Sequence, residues 1–305
     1  MITIYECPNS TNEIDHRLAT RYLVENKMTS VTIITVAYNS ACAIKKLVES
    51  LPPGLPMTIV DNGPDDGIRN WAASRGIRVL SEGRNLGFGA ACNLGATSAQ
   101  SEFLFFVNPD AYLDKNTLSE LLKAAAQHPE AAAFGPALVD ENGIATFKRD
   151  SYLLARGLRQ PRDPGDEHRI VPVLSGAAML IRRSAFEKVR GFDPLIFLYF
   201  EDDDISIRLA SHAGPLLLVP TAMVYHAGGK SSNPSYELSK FKGYHWARSR
   251  IYVGRKHGKA LPVLSGLLDG VSHLISRHSL YDTDRRKGAL GRIKGAFSVL
   301  IDSHR

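Results

Sequence analysis

The sequence predicts an α/β fold in which a mostly parallel central sheet is flanked by helices and followed by a C-terminal helical extension. Short runs rich in Val, Ile or Phe alternate with segments of helical periodicity, and polar turn residues follow the strands. Strands and helices that alternate at this length form right-handed βαβ units. Ligands of such sheets bind beyond the carboxyl ends of the strands, so we expect the functional residues there.

Residues 30–136 carry the clearest pattern. The predicted strands are short runs rich in β-branched or apolar residues, and Pro, Gly, Asn or Ser residues end the strands and helices. The predicted strands are 31–36, 58–60, 77–80 and 103–107, and the predicted helices are 44–51 and 68–74. A glycine-rich segment at 85–97 precedes the last of these strands.

Residues 137–239 have a looser pattern. Asn142-Gly143 predicts a hairpin turn. Residues 148–170 predict a mobile surface loop, because few of them are apolar. The elements predicted after this loop are a strand at 171–181, helices at 184–189 and 202–213, and a strand at 216–219.

Positive charge is concentrated at the C-terminus, which we therefore expect to be a region separate from residues 1–239. Residues 240–305 contain 14 Lys or Arg and 4 Asp or Glu, although the whole chain has a net charge of +6. Apolar residues there share helical faces: Leu261, Leu264, Leu268, Val271 and Ile275, and again Leu290, Ile293, Phe297, Leu300 and Ile301. Such faces pack on the body of the protein, form a homodimer, or lie on an anionic membrane surface.

The remaining composition limits the location and partners. The three cysteines have no spacing typical of a disulfide framework or a zinc site. The N-terminus lacks the pattern of a signal peptide, and no apolar run is long enough to span a bilayer. We therefore expect a cytoplasmic protein, peripheral on the inner face of the cell membrane if the C-terminal region binds lipid. Nucleic acid is not an expected partner, since the last stretch lacks aromatic platforms for base stacking.

Two acidic sites follow predicted strands. Asp61 is either a turn-forming residue or an acceptor for the imino proton of a uracil or thymine ring. Asn108-Pro109-Asp110 is either a turn with a helix cap or a pair of oxygen ligands for a hard divalent cation. Both interpretations of each site remain open.

A third acidic site, Glu201-Asp202-Asp203-Asp204, directly follows the aromatic run Phe197-Leu198-Tyr199-Phe200. Some of the four acids cap the following helix. At least one is a candidate general base, whose pKa we expect the apolar surroundings to raise. His226 follows the last strand; a lone histidine is more often structural, but the glycine-rich segment after it suits a phosphate.

The chain from about Ser30 to His226 resembles the family-two glycosyltransferases, which have the GT-A fold, because it contains a set of motifs in the same order. The motifs that carry the resemblance are VTIITVAYN at 31–39, VDN at 60–62, NLGFG at 85–89, NLG at 93–95, NPD at 108–110, SGAAMLI at 175–181, GFD at 191–193 and FEDDD at 200–204. The Asn-Pro-Asp form, combined with Glu-Asp-x-Asp, is most similar to bacterial rhamnosyltransferases and related surface-polysaccharide enzymes.

The resemblance implies an inverting glycosyltransferase with a Rossmann-like nucleotide-binding half at 30–136 and an acceptor-binding half at 137–239. It implies transfer of a sugar, with rhamnose as the best guess, from a dTDP- or UDP-linked donor to a hydroxyl of a saccharide or lipid-linked acceptor. The expected cofactor is Mg²⁺ or Mn²⁺, and the expected role is cell-surface polysaccharide or glycolipid synthesis.

Two alternatives to this activity are considered. One is a non-catalytic nucleotide-sugar-binding protein of the same fold, against which the intact acid cluster argues. The other is an NAD-dependent dehydrogenase, for which Gly87 and Gly89 would form part of the fingerprint. Cys92 occupies its third glycine position, and the segment does not open the first βαβ unit.

The resemblance also assigns roles to individual residues. Asp202 matches the general base, and Asp110 and His226 match the metal site. The family's metal motif is Asp-x-Asp, so Asn108 is a departure that weakens the expected grip on the metal. The expected donor-binding residues are Thr35, Ala37, Tyr38, Asn39, Asp61, Arg84, Asn85, Gly87, Asn93 and Asn108. The expected acceptor-binding residues are Ser175, Gly176 and Glu201.

Overall fold

The computed structural model describes residues 30–64, 67–226, 236–276 and 282–302. The N-terminal segment, for which the sequence predicts no signal peptide, lies outside the described residues, and so does the glycine-rich segment after His226.

The secondary structure follows the predicted alternation. The elements up to residue 139 are β1 (Val31–Ala37), α1 (Ala41–Ser50), β2 (Met57–Asp61), α2 (Ile68–Ala73), β3 (Arg78–Leu80), α3 (Phe88–Ala96), β4 (Phe103–Val107), β5 (Ala111–Leu113), α4 (Thr117–Gln127) and β6 (Ala133–Val139). The elements after it are β7 (Ala145–Thr146), a 3₁₀ turn (Arg156–Leu158), β8 (Arg169–Ile170), β9 (Ala178–Arg182), α5 (Arg183–Lys188), α6 (Glu201–His212), β10 (Leu216–His226), α7 (Tyr236–Lys256), α8 (Pro262–Ile275) and α9 (Thr283–Asp302).

One central sheet joins the strands in the order β3-β2-β1-β4-β9-β6-β10-β5, with β7 beside β6 and β8 beside β10. The pairs β3–β2, β2–β1, β1–β4 and β6–β10 are parallel, whereas β9 runs antiparallel to both β4 and β6. The predicted α/β fold is thus confirmed. The parallel pairing that the sequence indicates belongs mainly to the first half of the chain.

Alternating side chains of the central strands build two apolar layers. Ile33 of β1 and Phe105 of β4 are fully buried on one side of the sheet, and Ile34 and Phe106 are buried on the other. Successive residues of a strand point to opposite faces, so a strand that is apolar throughout must be covered on both. The uninterrupted apolar run of β4 and the buried side chains on both faces of β1 therefore place these two strands in the centre of the sheet.

The strand predicted at 171–181 is shorter in the structure, where only Ala178–Arg182 form β9. Before it, the Leu174 amide donates to the Ser206 hydroxyl of α6, 3.0 Å away, instead of to a neighbouring strand. The chain is therefore drawn out of the sheet toward α6. Conversely, β10 continues to His226, beyond the predicted residue 219, because it pairs first with β6 and then with β5.

Helix α7 runs without interruption through residue 239, at which the sequence predicts the end of the body. It packs against α9 with the two backbones almost in contact. A Cβ atom added at Gly243 would lie 2.1 Å from the Gly288 carbonyl oxygen, and one at Gly291 would lie 2.3 Å from that of Lys240. Glycine is required at this helix crossing because any side chain would separate the helices.

The apolar faces predicted for the C-terminal region are largely exposed. On and next to α8 the exposed residues are Leu261, Leu264, Leu268, Val271 and Ile275, and on α9 they are Leu290, Phe297, Leu300 and Ile301. Ile293 is the exception, since it packs against Gly270 of α8. Within the described residues, no helix combines the length and the apolarity needed to cross a bilayer.

Candidate active site

A cavity of about 190 Å³ opens at the carboxyl ends of β1, β2 and β4, where parallel sheets bind their ligands. It is lined by Val36, Tyr38, Asn62, Asn85, Gly87, Phe88, Asn108, Pro109, Asp110, Phe197, Leu198, Leu238, Phe241 and Lys242. The lining combines strand-end loops, the segment before α6 and the first turns of α7. The cavity is thus closed by the C-terminal region as well as by the predicted nucleotide-binding half.

Asn62 and Asn85 fix one side of this cavity. The Asn62 side-chain amide donates to Asn85 Oδ1 at 3.0 Å and to the Gly87 carbonyl oxygen at 3.2 Å, while Asn62 Oδ1 accepts from the Leu86 amide at 2.7 Å. Gly87 has φ +83°, and a Cβ there would lie 2.2 Å from the Phe197 carbonyl oxygen. Only glycine fits at that position.

Asn108, Asp110 and His226 meet at one end of the cavity. His226 Nε2 lies 3.3 Å from Asp110 Oδ1 and 3.5 Å from Asn108 Nδ2. The antiparallel pairing of β5 with β10, in which His226 faces Ala111, brings the histidine to Asp110 across more than a hundred residues of sequence.

This donor set fits a divalent metal that is shared with a ligand. The carboxylate and the amide oxygen are suitable ligands for Mg²⁺ or Mn²⁺, and the imidazole favours a transition metal such as Mn²⁺ over Mg²⁺. No group of three or more His, Cys, Asp or Glu side chains that could hold a metal occurs in the part of the chain that the structure describes. The oxygens of a bound diphosphate would therefore have to complete the coordination.

The four acids at the start of α6 have different partners. Tyr199 and Phe200, just before the helix, have φ values of 70° and 68°, which are unusual for residues with bulky side chains. Because the backbone before α6 is in this left-handed conformation, the first turn of the helix faces residues 175–177 and Lys148, and the acids do not point to solvent.

Asp202 is held by three donors. Its Oδ2 accepts from Lys148 Nζ at 2.8 Å and from the Gly176 amide at 2.9 Å, and its Oδ1 accepts from the Asp203 amide at 2.9 Å. Burial alone would raise the pKa of Asp202, but the Lys148 ammonium and these hydrogen bonds lower it below the usual value. The expectation that apolar surroundings raise the pKa of the catalytic candidate is therefore wrong for Asp202, because Lys148 compensates its charge.

The carboxyl groups with raised pKa values are those of Glu201 and Asp203, on either side of Asp202. Burial, and then the negative charge of Asp202, raise the pKa of Glu201 to about 8, so this side chain is protonated at neutral pH. Burial and Asp202 also raise the pKa of Asp203, although Lys148 Nζ lies 2.9 Å from its Oδ1. One ammonium thus serves two carboxylates and favours the ionised form of Asp202.

Asp204 has a structural role. Its carboxylate is fully buried and lies 2.8 Å from Arg208, Lys256 and His257. Lys256 and His257 lie at the C-terminal end of α7, and Lys256 also binds Asp193 at 2.6 Å. Asp204 therefore anchors one end of α7 beneath the acid cluster, while the other end of the helix lines the cavity.

The acid cluster and the Asn108–Asp110 site are linked through one short segment. The Asn108 amide donates to the Ala177 carbonyl oxygen at 2.9 Å, and the preceding residue, Gly176, donates its amide to Asp202. A Cβ at Gly176 would lie 3.2 Å from Asp202 Cβ, so the loop and the helix are in close contact. Ser175 stabilises the same turn through a hydrogen bond from the Ala177 amide.

The structure brings only some of the predicted site residues to the cavity. Tyr38, Asn85, Gly87, Asn108 and Asp110 line it, whereas Thr35, Ala37, Asn39, Asp61, Arg84 and Asn93 do not. The Asp61 carboxylate is buried and pairs with Arg69 at 2.5 Å. The Asn93 side chain exchanges two hydrogen bonds of 2.8 Å with the Phe192 backbone, which ties α3 to the loop after α5.

Two lysines at the site were not predicted from the sequence. Lys148 lies in the segment predicted to be a mobile surface loop, but its side chain is only 20% exposed. Its neighbour Phe147 is buried, and this aromatic residue is the one signal that could have indicated an anchored segment. Lys242 belongs to the predicted C-terminal region; Leu238 and Phe241, at helical spacing before it, would have indicated a shared face of α7.

Sequence comparison identifies relatives along most of the chain. Residues 32–190 match the model of the family described as Glycosyl transferase family 2. The N-acetylglucosaminyl-diphospho-decaprenol L-rhamnosyltransferase of Mycobacterium tuberculosis is 30% identical over 297 residues, which cover 84% of this chain and 95% of the relative. The low-salt glycan biosynthesis hexosyltransferase Agl10 of Haloferax volcanii is 25% identical, covering 60% of this chain and 62% of the relative.

Solved structures share the fold. The mannosyltransferase PcManGT from Pyrobaculum calidifontis, in complex with GDP-Man and Mn²⁺, aligns with a TM-score of 0.55 at 13% identity and covers 95% of this chain and 97% of its own. GalNAc-T7 with UDP, GalNAc and Mn²⁺ aligns with a TM-score of 0.57 at 16% identity; the match covers 91% of this chain but 58% of that protein. The chain has the GT-A fold and belongs to glycosyl transferase family 2.

Proposed function

We propose that this glycosyltransferase inverts the anomeric centre of its sugar and uses Asp202 as the general base. The observation that supports this most directly is the position of Asp202, whose carboxylate binds the same 175–177 segment that holds Asn108 at the donor cavity. In a single displacement, the base would lie on the side of the sugar opposite the diphosphate. Such a reaction needs no covalent intermediate.

In the proposed reaction, the acceptor hydroxyl attacks C1 of the sugar while Asp202 accepts its proton. The bond between C1 and the diphosphate oxygen breaks, and the electron pair leaves with the nucleoside diphosphate. The lowered pKa of Asp202 keeps it ionised at neutral pH. Its low basicity is sufficient because the hydroxyl proton becomes acidic as the new bond forms.

Asp110, His226 and Asn108 would hold a divalent metal together with the donor diphosphate, and that metal would neutralise charge on the leaving group. Mn²⁺ in the structures of PcManGT and GalNAc-T7 supports this proposal. Glu201, Ser175 and Gly176 are proposed to surround the acceptor, since Ser175 and Gly176 flank Asp202 and Glu201 precedes it in α6.

We further propose a dTDP- or UDP-linked donor, with rhamnose as the transferred sugar, and a saccharide or lipid-linked acceptor in surface-polysaccharide or glycolipid synthesis. The name of the M. tuberculosis relative, an L-rhamnosyltransferase for a decaprenol-linked sugar, supports the sugar and the acceptor class.

The test is transfer from dTDP-rhamnose, UDP-glucose and UDP-N-acetylglucosamine to short polyprenyl-diphosphate sugars, with product configuration determined by NMR. Transfer with inversion from a pyrimidine donor is expected. A product that retains the donor's anomeric configuration would contradict the role of Asp202, and exclusive use of GDP- or ADP-sugars would contradict the proposed donor.

The exposed apolar residues of α8 and α9 support peripheral binding to an anionic membrane surface, where a lipid-linked acceptor would be found. Arg285, Arg286 and Lys294 flank them and are themselves exposed. Each basic residue near such a surface contributes about 1 kcal/mol of binding free energy, which salt screens. The rival occupant of this face is a second copy of the chain.

Point variants separate the two occupants better than truncation does, because α9 packs on the helix that lines the donor cavity. Leu268→Ser together with Phe297→Ser should abolish salt-sensitive co-sedimentation with phosphatidylglycerol vesicles and leave the mass in solution unchanged. A wild-type dimer that becomes a monomer in this variant, without vesicle binding by either protein, would instead identify a dimer interface.

A further inference from the structure

One face of α7 forms a wall of the donor cavity. Leu238, Phe241 and Lys242 all line it, and their spacing places them on the same side of the helix. The Phe241 ring packs edge-on against Phe197, with 5.9 Å between ring centroids, which fixes this part of α7 against the segment before α6. Lys242, in the next position, is therefore carried by a rigid element.

The charges of the cavity are few. Of the residues that line it, only Asp110 and Lys242 have charged side chains at neutral pH. Within the described residues, Lys242 forms no ion pair and no side-chain hydrogen bond, so it does not pair with Asp110. A partly buried ammonium without a protein partner loses hydration that an anionic ligand restores.

The presence of Asn108 at the first position of the metal motif suggests a role for the Lys242 ammonium. With Asn108 in place of an aspartate, the cavity holds one carboxylate fewer than the resemblance implies, and its hold on a metal is weaker. A diphosphate entering the cavity therefore meets less repulsion, but it also receives less of its compensating charge from a metal. Lysine is a compact point charge suited to phosphate.

We propose that Lys242 binds the donor diphosphate and stabilises the nucleoside diphosphate as it leaves, a role that rests on the proposed function. As the bond between C1 and the diphosphate oxygen breaks, its electron pair remains on that oxygen, and Lys242 compensates part of the added charge. The acceptor oxygen forms the new bond to C1, and its proton passes to Asp202. Lys242 thus supplies a positive charge in addition to that of a metal ion, which Asp110 would hold.

The test measures ligand binding without metal or turnover. Calorimetric titration of dTDP in EDTA should show about 10- to 100-fold weaker binding to Lys242→Met than to the wild type, the range expected for loss of a charged hydrogen bond. Thymidine should bind both proteins equally, because it lacks the diphosphate. Lys242→Arg should retain most of the affinity, and Lys240→Met, on the same helix but outside the cavity, should match the wild type.

Different outcomes of this titration would overturn the role of Lys242, the proposed function, or both. Equal dTDP affinity of wild type and Lys242→Met in EDTA would overturn the role of Lys242 and leave the proposed function intact. Equal losses of dTDP affinity in Lys242→Met and Lys240→Met would also overturn the role of Lys242, because they would show a general effect of positive charge. If the wild type binds GDP or ADP in place of dTDP, the proposed donor fails and the same comparison is made with that nucleotide. Binding of nucleoside diphosphate by the wild type only when Mn²⁺ is present would overturn the role of Lys242 and leave the proposed function intact. Absence of binding both in EDTA and with Mn²⁺ would overturn both proposals.

Discussion

Asp110 and Asp202 are two carboxylates of one site, but their charges are compensated in different ways. Asp110 lies 3.3 Å from His226, an imidazole that is positive only when it is protonated. Asp202 lies 2.8 Å from Lys148 and accepts two backbone hydrogen bonds in addition. Asp202 is therefore ionised and fixed before any substrate arrives, whereas in the proposed function Asp110 would offer its charge to a metal ion that enters with the donor.

Asp110, which follows β4, and Asp202, in the first turn of α6, are thus suited to different chemistry. A base has to keep the same protonation state and position in each cycle, and an internal ammonium provides both. A metal ligand has to exchange with solvent, and a fixed ammonium beside it would compete with the metal. Lys148 pairs with Asp202 and Asp203 in the acid cluster, which is consistent with the separate roles proposed for Asp202 and Asp110.

The largest effect is expected at the base itself. Asp202→Asn keeps the shape of the side chain and removes its basicity, so turnover should fall by about a hundredfold or more, while donor affinity changes little. Steady-state transfer and calorimetric binding measure the two quantities. Asp203→Asn, which removes a carboxylate that binds the same lysine, is the matched control and should lose much less. Near-normal turnover in Asp202→Asn would exclude it as the base.

The metal site should show the next largest effect. Asp110→Ala should abolish the increase in donor affinity that Mg²⁺ or Mn²⁺ produces, because the remaining amide and imidazole form a weak site. Asn108→Asp should retain activity and bind Mn²⁺ more tightly, which calorimetry in the presence of nucleoside diphosphate measures. Full-speed turnover of EDTA-treated enzyme would contradict a role for metal in the reaction.

Removal of Lys148 should change the pH dependence more than the maximal rate. The ammonium lowers the pKa of Asp202, so Lys148→Met should raise that pKa. Because Asp202 has to be ionised to act as a base, the acidic limb of the kcat/KM profile should move to higher pH, and turnover at neutral pH should fall about tenfold. An acidic limb at the same pH in both proteins would show that Lys148 does not tune the base.

The smallest effect is expected at Asp61, a third carboxylate that is compensated by Arg69. The Arg69 side chain is about half exposed, so it can move aside without disturbing the core. If Asp61 accepts the imino proton of the base, Asp61→Asn should weaken dTDP binding several-fold and reduce its preference over GDP. Arg69→Met should preserve that preference. If the wild type and Asp61→Asn show the same preference for dTDP over GDP, the role of Asp61 is limited to its ion pair with Arg69.

The sequence predicts the fold well where local patterns are strong. The continuous apolar runs and the turn residues after them locate β1, β2 and β4, and thereby the edge at which Tyr38 and Asn108 lie. Strand 171–181 was predicted too long because apolar residues before Gly176 indicate burial but not hydrogen-bond partners. Here Ser206, distant in sequence, supplies the partner for Leu174.

The electrostatics of the site could not be predicted in the same way. Four consecutive acids give no information about which of them has a cationic partner, since that partner, Lys148, is more than fifty residues earlier in the chain. The expected pKa of Asp202 therefore had the wrong direction, while the apolar surroundings do act on Glu201. The sequence identified the acid cluster, and only the three-dimensional contacts distinguish its members.

The contact between Gly243 and Gly288 links the far end of the chain to the wall of the candidate donor cavity. Gly243 is the next residue after Lys242, and any side chain at this helix crossing would force α7 and α9 apart. Shortened versions that end before α9 would leave the α7 backbone uncovered and would lose donor affinity, although no deleted residue lines the cavity. If Lys242 binds the donor as proposed, the last helix belongs to the minimal enzyme, and an expression tag or fusion at the C-terminus needs a linker that leaves this helix crossing intact.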